Sequence, residues 1–362
     1  MKSIRSAVGV ALLVLTAVAL PFPVLAQQAA VSQAAPTMAD SEAAYAAGDY
    51  DKAIQIVRVL AEAGDALAQY RLGYMTALGQ GTEKDLNAAA GWFRKAADQG
   101  EPAALLQLGV FHIQGSGVER SETEAARLFK LAAEKGNTLA QLYVGQMYLV
   151  GAGIEKNEVA GLTWIMSAAR AGNAEAQFKL GTIYATGEGA TKDAKEARKW
   201  FELAAESGLA SAQYTLAGNL MAGTGIEKDK AKAREWYRKA AEQGMPAAQR
   251  DLGAIYLAGI DGKPDYALAY EWTRKAADAG DAGALSNLGY MYYSGKGVPQ
   301  DDQRAAEAYG KAAEKGLARS ATALGALYEA GRGVEKSDEK AAEWYARVRS
   351  AGTATRSPGS SR

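Results

Sequence analysis

Glycine returns every thirty-six residues in this chain, at Gly100, Gly136, Gly172, Gly208, Gly244, Gly280, Gly316 and Gly352. Cutting after each divides 65–352 into eight units without insertion or deletion: 65–100, 101–136, 137–172, 173–208, 209–244, 245–280, 281–316 and 317–352. A fixed period in this range predicts a solenoid, in which one unit cannot bury its apolar face alone and its neighbours complete the core. A chain of 362 residues also exceeds what one core sustains.

Residue classes recur inside each unit. The fifteenth place is always Gly, and the seventeenth is Gly in every unit but the sixth, which has Asp261 followed by Gly262. These glycines mark a turn, because Gly adopts positive φ at little cost. The twenty-first place holds Asp85, Ser121, Asn157, Asp193, Asp229, Asp265, Asp301 and Ser337, all preferred helix N-caps. A second helix therefore starts there and ends at the closing Gly. Its apolar stripe runs through an Ala near the twenty-fifth place, Trp at the twenty-eighth, an aromatic often at the twenty-ninth, and Ala-Ala at the thirty-second and thirty-third. All six tryptophans, Trp92, Trp164, Trp200, Trp236, Trp272 and Trp344, occupy the twenty-eighth place, with Leu128 and Ala308 in the other two units. Side chains of this size at helical spacing are expected in the core. The first helix carries Ala, Leu, Gly and Tyr at the fourth, eighth, ninth and twelfth places, as in Ala176, Leu180, Gly181 and Tyr184. The expected fold is all-α: an α/α superhelical solenoid of eight helical hairpins.

Motifs such as AEAQFKLGTIYATGEGATKDAKEARKWFELAAESG resemble the Sel-one-like repeat family, thirty-six-residue relatives of the tetratricopeptide repeat. The resemblance spans residues 65–352. It implies a scaffold that binds protein partners, with the first helices lining a concave groove, and bacterial members that regulate envelope signalling or cell-surface polysaccharide production. A half unit at 43–64 is expected to cap the N-terminal end. At the other end Val348 and Arg349 replace the Ala-Ala pair, as suits a C-terminal cap.

Residues 1–26 have the pattern of a signal peptide: Lys2 and Arg5, an apolar run from Ala7 to Leu20, then Val24-Leu25-Ala26 before Gln27. Fourteen apolar residues fall short of the roughly 20 a membrane-spanning helix needs, so cleavage after Ala26 and a periplasmic or secreted mature chain are expected, without stable membrane insertion. Residues 27–42 and 353–362 have the composition of a disordered linker and tail.

The chemistry available is narrow. The chain has no Cys, so thiol nucleophiles, disulfides and Cys-ligated zinc are excluded. Forty-one Lys and Arg balance 41 Asp and Glu, which offers no field for nucleic acid. The lone His112 takes the twelfth place, where Tyr148, Tyr184, Tyr256, Tyr292 and Tyr328 stand in other units, and is expected to substitute for Tyr. Ser337-Asp338-Glu339-Lys340 fits the Ser-x-x-Lys pattern of penicillin-recognising enzymes, some family members having been called β-lactamases. Ser337 is also an N-cap, and the Ser-Asp-Asn and Lys-Thr-Gly partner motifs are missing. No catalytic residue, cofactor or metal site is therefore expected. The glycine turns follow helices, whereas a phosphate-binding loop follows a strand.

At 100° per residue the third, sixth, tenth and thirteenth places of the first helix turn away from its Leu-Tyr stripe. Along the array they offer Tyr70, Tyr74, Phe178, Tyr214, Arg250, Tyr290 and Tyr293, the residue types that anchor protein interfaces. The leading expectation is an exported adaptor that binds a protein partner, in envelope signalling, polysaccharide production or host interaction. A platform for cell-wall glycan or exopolysaccharide is the alternative, and a β-lactamase-like or peptidoglycan hydrolase the third reading.

Overall fold

The computed structural model describes residues 36–224, 226–259 and 263–354, and among them every regular element is a helix. A leading hairpin, α1 (Met38–Ala46) and α2 (Tyr50–Glu62), precedes the repeats. The first helices of the eight units are α3 (Ala66–Leu78), α5 (Pro102–Gln114), α7 (Thr138–Val150), α9 (Ala174–Thr186), α11 (Ala210–Ala222), α13 (Pro246–Ala258), α15 (Ala282–Ser294) and α17 (Ala318–Ala330). The second helices are α4 (Leu86–Asp98), α6 (Glu122–Glu134), α8 (Glu158–Arg170), α10 (Ala194–Glu206), α12 (Lys230–Glu242), α14 (Tyr266–Asp278), α16 (Asp302–Glu314) and α18 (Asp338–Ala354). The chain forms two compact units that meet in sequence after Asp193, one holding α1 to α9 and the other α10 to α18. The architecture is the expected α-solenoid.

Two boundaries differ from the sequence reading, and the residues of the signal peptide lie outside the described residues. The segment 27–42 was expected to be a disordered linker, yet α1 begins at Met38. Thr37 caps it by accepting from the Asp40 backbone N–H, while the Asp40 carboxylate accepts from the Thr37 backbone N–H at 2.8 Å. This capping box outweighs a composition that reads as unstructured. The cap over 43–64 is thus a full hairpin. At the far end α18 runs through Ala354, two residues into the expected tail, whose remainder lies outside the described residues.

Side-chain caps fix the helix starts. Asp85, Ser121, Asn157, Asp229, Asp265, Asp301 and Ser337 each accept from a backbone N–H two or three residues on. First helices α3, α5, α7 and α9 are capped by Asp65, Glu101, Asn137 and Asn173. In the second compact unit α11, α13 and α17 begin after Leu209, Met245 and Leu317, which make no side-chain cap bond, and Asp281 caps α15 alone.

First helices such as α5 and α7 carry no formal charge because each packs between its own second helix and the preceding one. Inside a hairpin, the ninth-place Gly admits the twenty-ninth side chain. A Cβ on Gly109 would lie 2.6 Å from the Phe129 ring, and one on Gly289 would lie 2.8 Å from the Tyr309 ring. The twenty-ninth place is therefore the core position, as Phe93 at 1% exposed illustrates. The tryptophans one place earlier are half-buried, and Trp92, Trp236, Trp272 and Trp344 pack against the core clusters from their edge, so the expected core role holds at the rim and not at the centre. Each of four lays a ring face under a cation three residues on: Lys95 on Trp92, Lys239 on Trp236, Lys275 on Trp272 and Arg347 on Trp344, at 3.9 to 4.3 Å. Adjacent helical positions differ by 100°, so an apolar stripe two residues wide leaves its outer member at the rim.

Two devices tie consecutive hairpins. In five repeats, at Gly81, Gly117, Gly153, Gly297 and Gly333, the seventeenth-place glycine docks on the first residue of the preceding second helix: a Cβ on Gly117 would lie 2.0 Å from the Leu86 carbonyl oxygen, and one on Gly333 2.0 Å from that of Asp302. The second device is a buried glutamine at the fifth place, whose Nε2 donates to the carbonyl of the preceding unit's thirty-third residue. The pairs are Gln69 to Ala61, Gln141 to Ala133, Gln177 to Ala169, Gln213 to Ala205 and Gln249 to Ala241, at 3.1 to 3.3 Å. In two units a second glutamine completes the bond: Gln99 donates to Gln69 Oε1 and Gln243 to Gln213 Oε1, both at 2.8 Å. The equivalent of Gln99 in the third unit is exposed Ala171, and Gln141 Oε1 is buried there without a partner. Ala171→Gln should supply the missing donor and raise stability by about 0.5–1.5 kcal/mol. Urea denaturation of the two proteins measures it; an unchanged midpoint would show that the unpaired oxygen costs nothing.

Burial pushes the hydroxyls of Tyr143, Tyr237 and Tyr309 from an ordinary value of 10.0 up to about 12. The folded state thus favours their neutral form. That contribution is complete below pH 10 and disappears as pH rises from 10 to about 12. Alkaline unfolding followed by circular dichroism should begin in this window, and Tyr143→Phe, Tyr237→Phe and Tyr309→Phe together should move its onset to higher pH.

Candidate protein-interaction surface

In the first compact unit Tyr70 and Tyr74 lie one turn apart on α3, with ring centroids separated by 6.3 Å. Tyr70 also packs on Phe93 at 5.9 Å, and Arg71 beside it reaches Glu42 of α1 at 3.6 Å. Burial raises both tyrosine hydroxyls, with Arg71 partly opposing. The sixth place is thus shared between surface and core: Leu106 and Leu142 are buried there, which corrects the reading that this place turns wholly away from the stripe. Phe178, also at a sixth place, is half-buried on α9.

In the second compact unit Tyr214 packs edge-to-face on Tyr237 at 5.5 Å and donates its hydroxyl to Asp251 at 2.9 Å. Arg250 donates to Asp251 at 2.7 Å and to Asp281 at 3.1 Å, and its other terminal nitrogen lies 3.4 Å from the Tyr214 hydroxyl. Burial first, then the bond to Asp251, raises the Tyr214 hydroxyl, and the same carboxylate holds the Arg250 guanidinium charged. Tyr214 and Arg250 are therefore together, but Arg250 is neutralised by two carboxylates. It ties α11, α13 and α15 together, and its charge is already answered.

Tyr290 and Tyr293 are different. They are 39% and 37% exposed on α15, and Tyr266 at the start of α14 is 36% exposed. Lys296 donates to the Tyr290 hydroxyl at 2.7 Å, and its ammonium lies 5.0 Å from the Tyr290 ring and 5.7 Å from the Tyr266 ring. Arg332 donates to the Tyr293 hydroxyl at 2.7 Å, stacks on that ring at 4.3 Å, and holds Asp302 with two bonds of 2.9 Å. That double bond lowers the Asp302 carboxyl below its usual range. Lys296 thereby joins Tyr266 and Tyr290 while Arg332 holds Tyr293, and all three tyrosines remain 36–39% exposed. Tyr266, Lys296 and Arg332 were not singled out from the sequence. The signal was available, since Lys296 and Arg332 stand at the sixteenth place between two turn glycines, where a long side chain reaches back to a first helix.

The other motifs resolve into structure. Ser337 accepts from the Lys340 backbone N–H at 3.2 Å as an N-cap, and the Lys340 ammonium lies over Tyr328 at 5.4 Å. His112 Nδ1 lies 2.9 Å from the Glu119 carbonyl, which requires the proton on that nitrogen and pins the turn. Among the described residues no cluster of three or more His, Asp or Glu side chains forms a metal-ligand set, and no helix is long and apolar enough to cross a membrane.

A family model described as Sel1 repeat matches eight times, at 66–101, 102–137, 138–173, 174–209, 210–245, 246–281, 282–317 and 318–351. Among solved structures, a Sel1 repeat protein from Oxalobacter formigenes is 33% identical over 80% of this chain and 86% of its own, with a TM-score of 0.61. A protective antigen present in uropathogenic Escherichia coli strains, displaying an SLR fold, is 30% identical over 88% of this chain and 81% of its own, with a TM-score of 0.51. No curated protein matches the chain. Eight matches that tile nearly the whole folded chain, on the period and turns described above, establish that the chain belongs to the Sel1 repeat family.

Proposed function

We propose that the chain is an exported, non-catalytic scaffold that holds a protein partner on its first helices. Sel1 repeat proteins are generally protein-interaction scaffolds, and the fold is typically non-catalytic. The observation that carries the reading here is the patch of Tyr266, Tyr290 and Tyr293 with Lys296 and Arg332: exposed aromatic rings already ordered by cations lose little side-chain entropy on binding. Export rests on the signal-peptide pattern of 1–26, and the envelope-signalling, polysaccharide-production and host-interaction roles rest on the family resemblance alone.

The test is crosslinking capture from cell-envelope extract by the full chain and by a Tyr290→Ala, Tyr293→Ala variant, followed by titration of the protein captured. Loss of two anchoring tyrosines should weaken that complex by at least about 30-fold, the scale of one hot-spot residue. Equal affinity for both proteins would remove this patch from the interface. Competition by soluble cell-wall glycan, with no competing peptide, would instead favour the glycan reading.

A further inference from the structure

The seventh repeat carries the smallest side chain at the place the tryptophans occupy. Its twenty-eighth place is Ala308, where six repeats carry Trp and the second carries Leu128. A cavity of about 710 Å3 opens beside Ala308, between the end of α14 and the helices α15 and α16. It is lined by Leu285, Leu288 and Tyr292, by the cations Arg304, Lys311 and Lys315, and by the carboxylates Asp278, Glu307 and Glu314.

The core beneath is uncovered as a result. The eighth-place residues of the seven other repeats, from Leu72 to Leu324, are at most 4% exposed, whereas Leu288 is only half-buried. In the sixth and eighth repeats the indoles of Trp272 and Trp344 pack on the clusters that contain the eighth-place Leu252 and Leu324. The cation of the arrangement persists in the seventh repeat. Lys311 is the counterpart of Lys95, Lys239 and Lys275, each of which caps an indole face, and among the described residues Lys311 and Lys315 form no ion pair. The site therefore keeps the apolar floor and the cation that hold an indole elsewhere in this chain, and lacks the indole.

We propose that this cavity is a docking site for a tryptophan side chain of a partner polypeptide, with Lys311 over the ring face. All six tryptophans of the chain are already engaged in their own repeats, so the indole comes from another molecule. A ring face is electronegative and complements the Lys311 ammonium, as the faces of Trp92, Trp236 and Trp272 complement Lys95, Lys239 and Lys275. The site rests on the scaffold reading only in that its occupant is a polypeptide, and it uses side chains other than those of the tyrosine patch.

The experiment is saturation-transfer NMR on the full chain with N-acetyltryptophanamide and N-acetylleucinamide as probes. The tryptophan amide should bind at least fivefold more tightly than the leucine amide. Ala308→Trp and Ala308→Leu should each abolish that binding while far-UV circular dichroism stays unchanged; Ala308→Leu restores only what the second repeat already carries. Lys311→Ala should weaken binding about two- to fivefold, the scale of an exposed cation–π contact. The Tyr290→Ala, Tyr293→Ala variant should bind the amide as the parent does, which separates failure here from failure of the patch. No binding by the parent chain, equal binding of the two amides, or full binding by the filled variants would overturn the proposal, and unchanged affinity in Lys311→Ala would remove the cation from it.

Discussion

Replacing Gly117 with alanine is expected to destabilise the chain by about 2–5 kcal/mol. Two costs add. Gly117 has φ of 65°, where an L side chain costs roughly 1–2 kcal/mol. Its new Cβ would also stand 2.0 Å from the Leu86 carbonyl oxygen, so backbone has to move away from backbone, which adds about 1–3 kcal/mol. Gly136→Ala separates the two, because Gly136 has φ of 87° with nothing within 4 Å of its Cβ. Only the conformational cost applies there. Urea unfolding of the two variants should therefore differ by the price of the clash; equal midpoints would mean that the turn shifts freely and does not couple neighbouring repeats.

The second large effect sets Phe93 against Trp92. Phe93→Ala removes a ring that is 1% exposed, meets Phe111 edge-to-face at 5.2 Å and fills the space left by Gly73, so a loss of about 3–5 kcal/mol is expected. Trp92→Ala removes the larger side chain, yet its half-buried indole and its contact with Lys95 account for about 1–2 kcal/mol. Because repeat arrays can unfold piecewise, hydrogen exchange in α3 and α4 is the measurement to pair with denaturation. A Trp92→Ala loss as large as that of Phe93→Ala would contradict the assignment of the twenty-ninth place as core.

That contrast shows what periodicity can convey. Repeated glycines and the Asp, Asn and Ser caps placed the hairpins in the sequence, because turns and helix starts depend on local backbone chemistry. The choice between Trp92 and Phe93 does not, since both are apolar and adjacent, and only the approach of the Gly73 backbone decides which one enters. Gln69 and Gln141 were illegible for another reason: a polar residue in the first turn of a helix reads as solvated, whereas here its partner is a carbonyl eight residues earlier. Of the candidate surface, the tyrosines of α15 were legible as aromatic residues off the stripe. Arg250 was legible as a cation but not as one already answered by Asp251 and Asp281, because those contacts span separate helices.

The uneven capping of the first helices gives the two compact units different first turns. Every first helix before Asp193 has a side-chain cap, whereas α11, α13 and α17 begin with bare N–H groups that water must serve. Each missing cap leaves a first turn easier to open by about 1 kcal/mol. Within the second unit α15, capped by Asp281, stands between uncapped neighbours, so hydrogen exchange should be faster in the first turns of α11, α13 and α17 than in that of α15. A chain emerging N-terminus first therefore completes its four capped first helices before it reaches the uncapped ones.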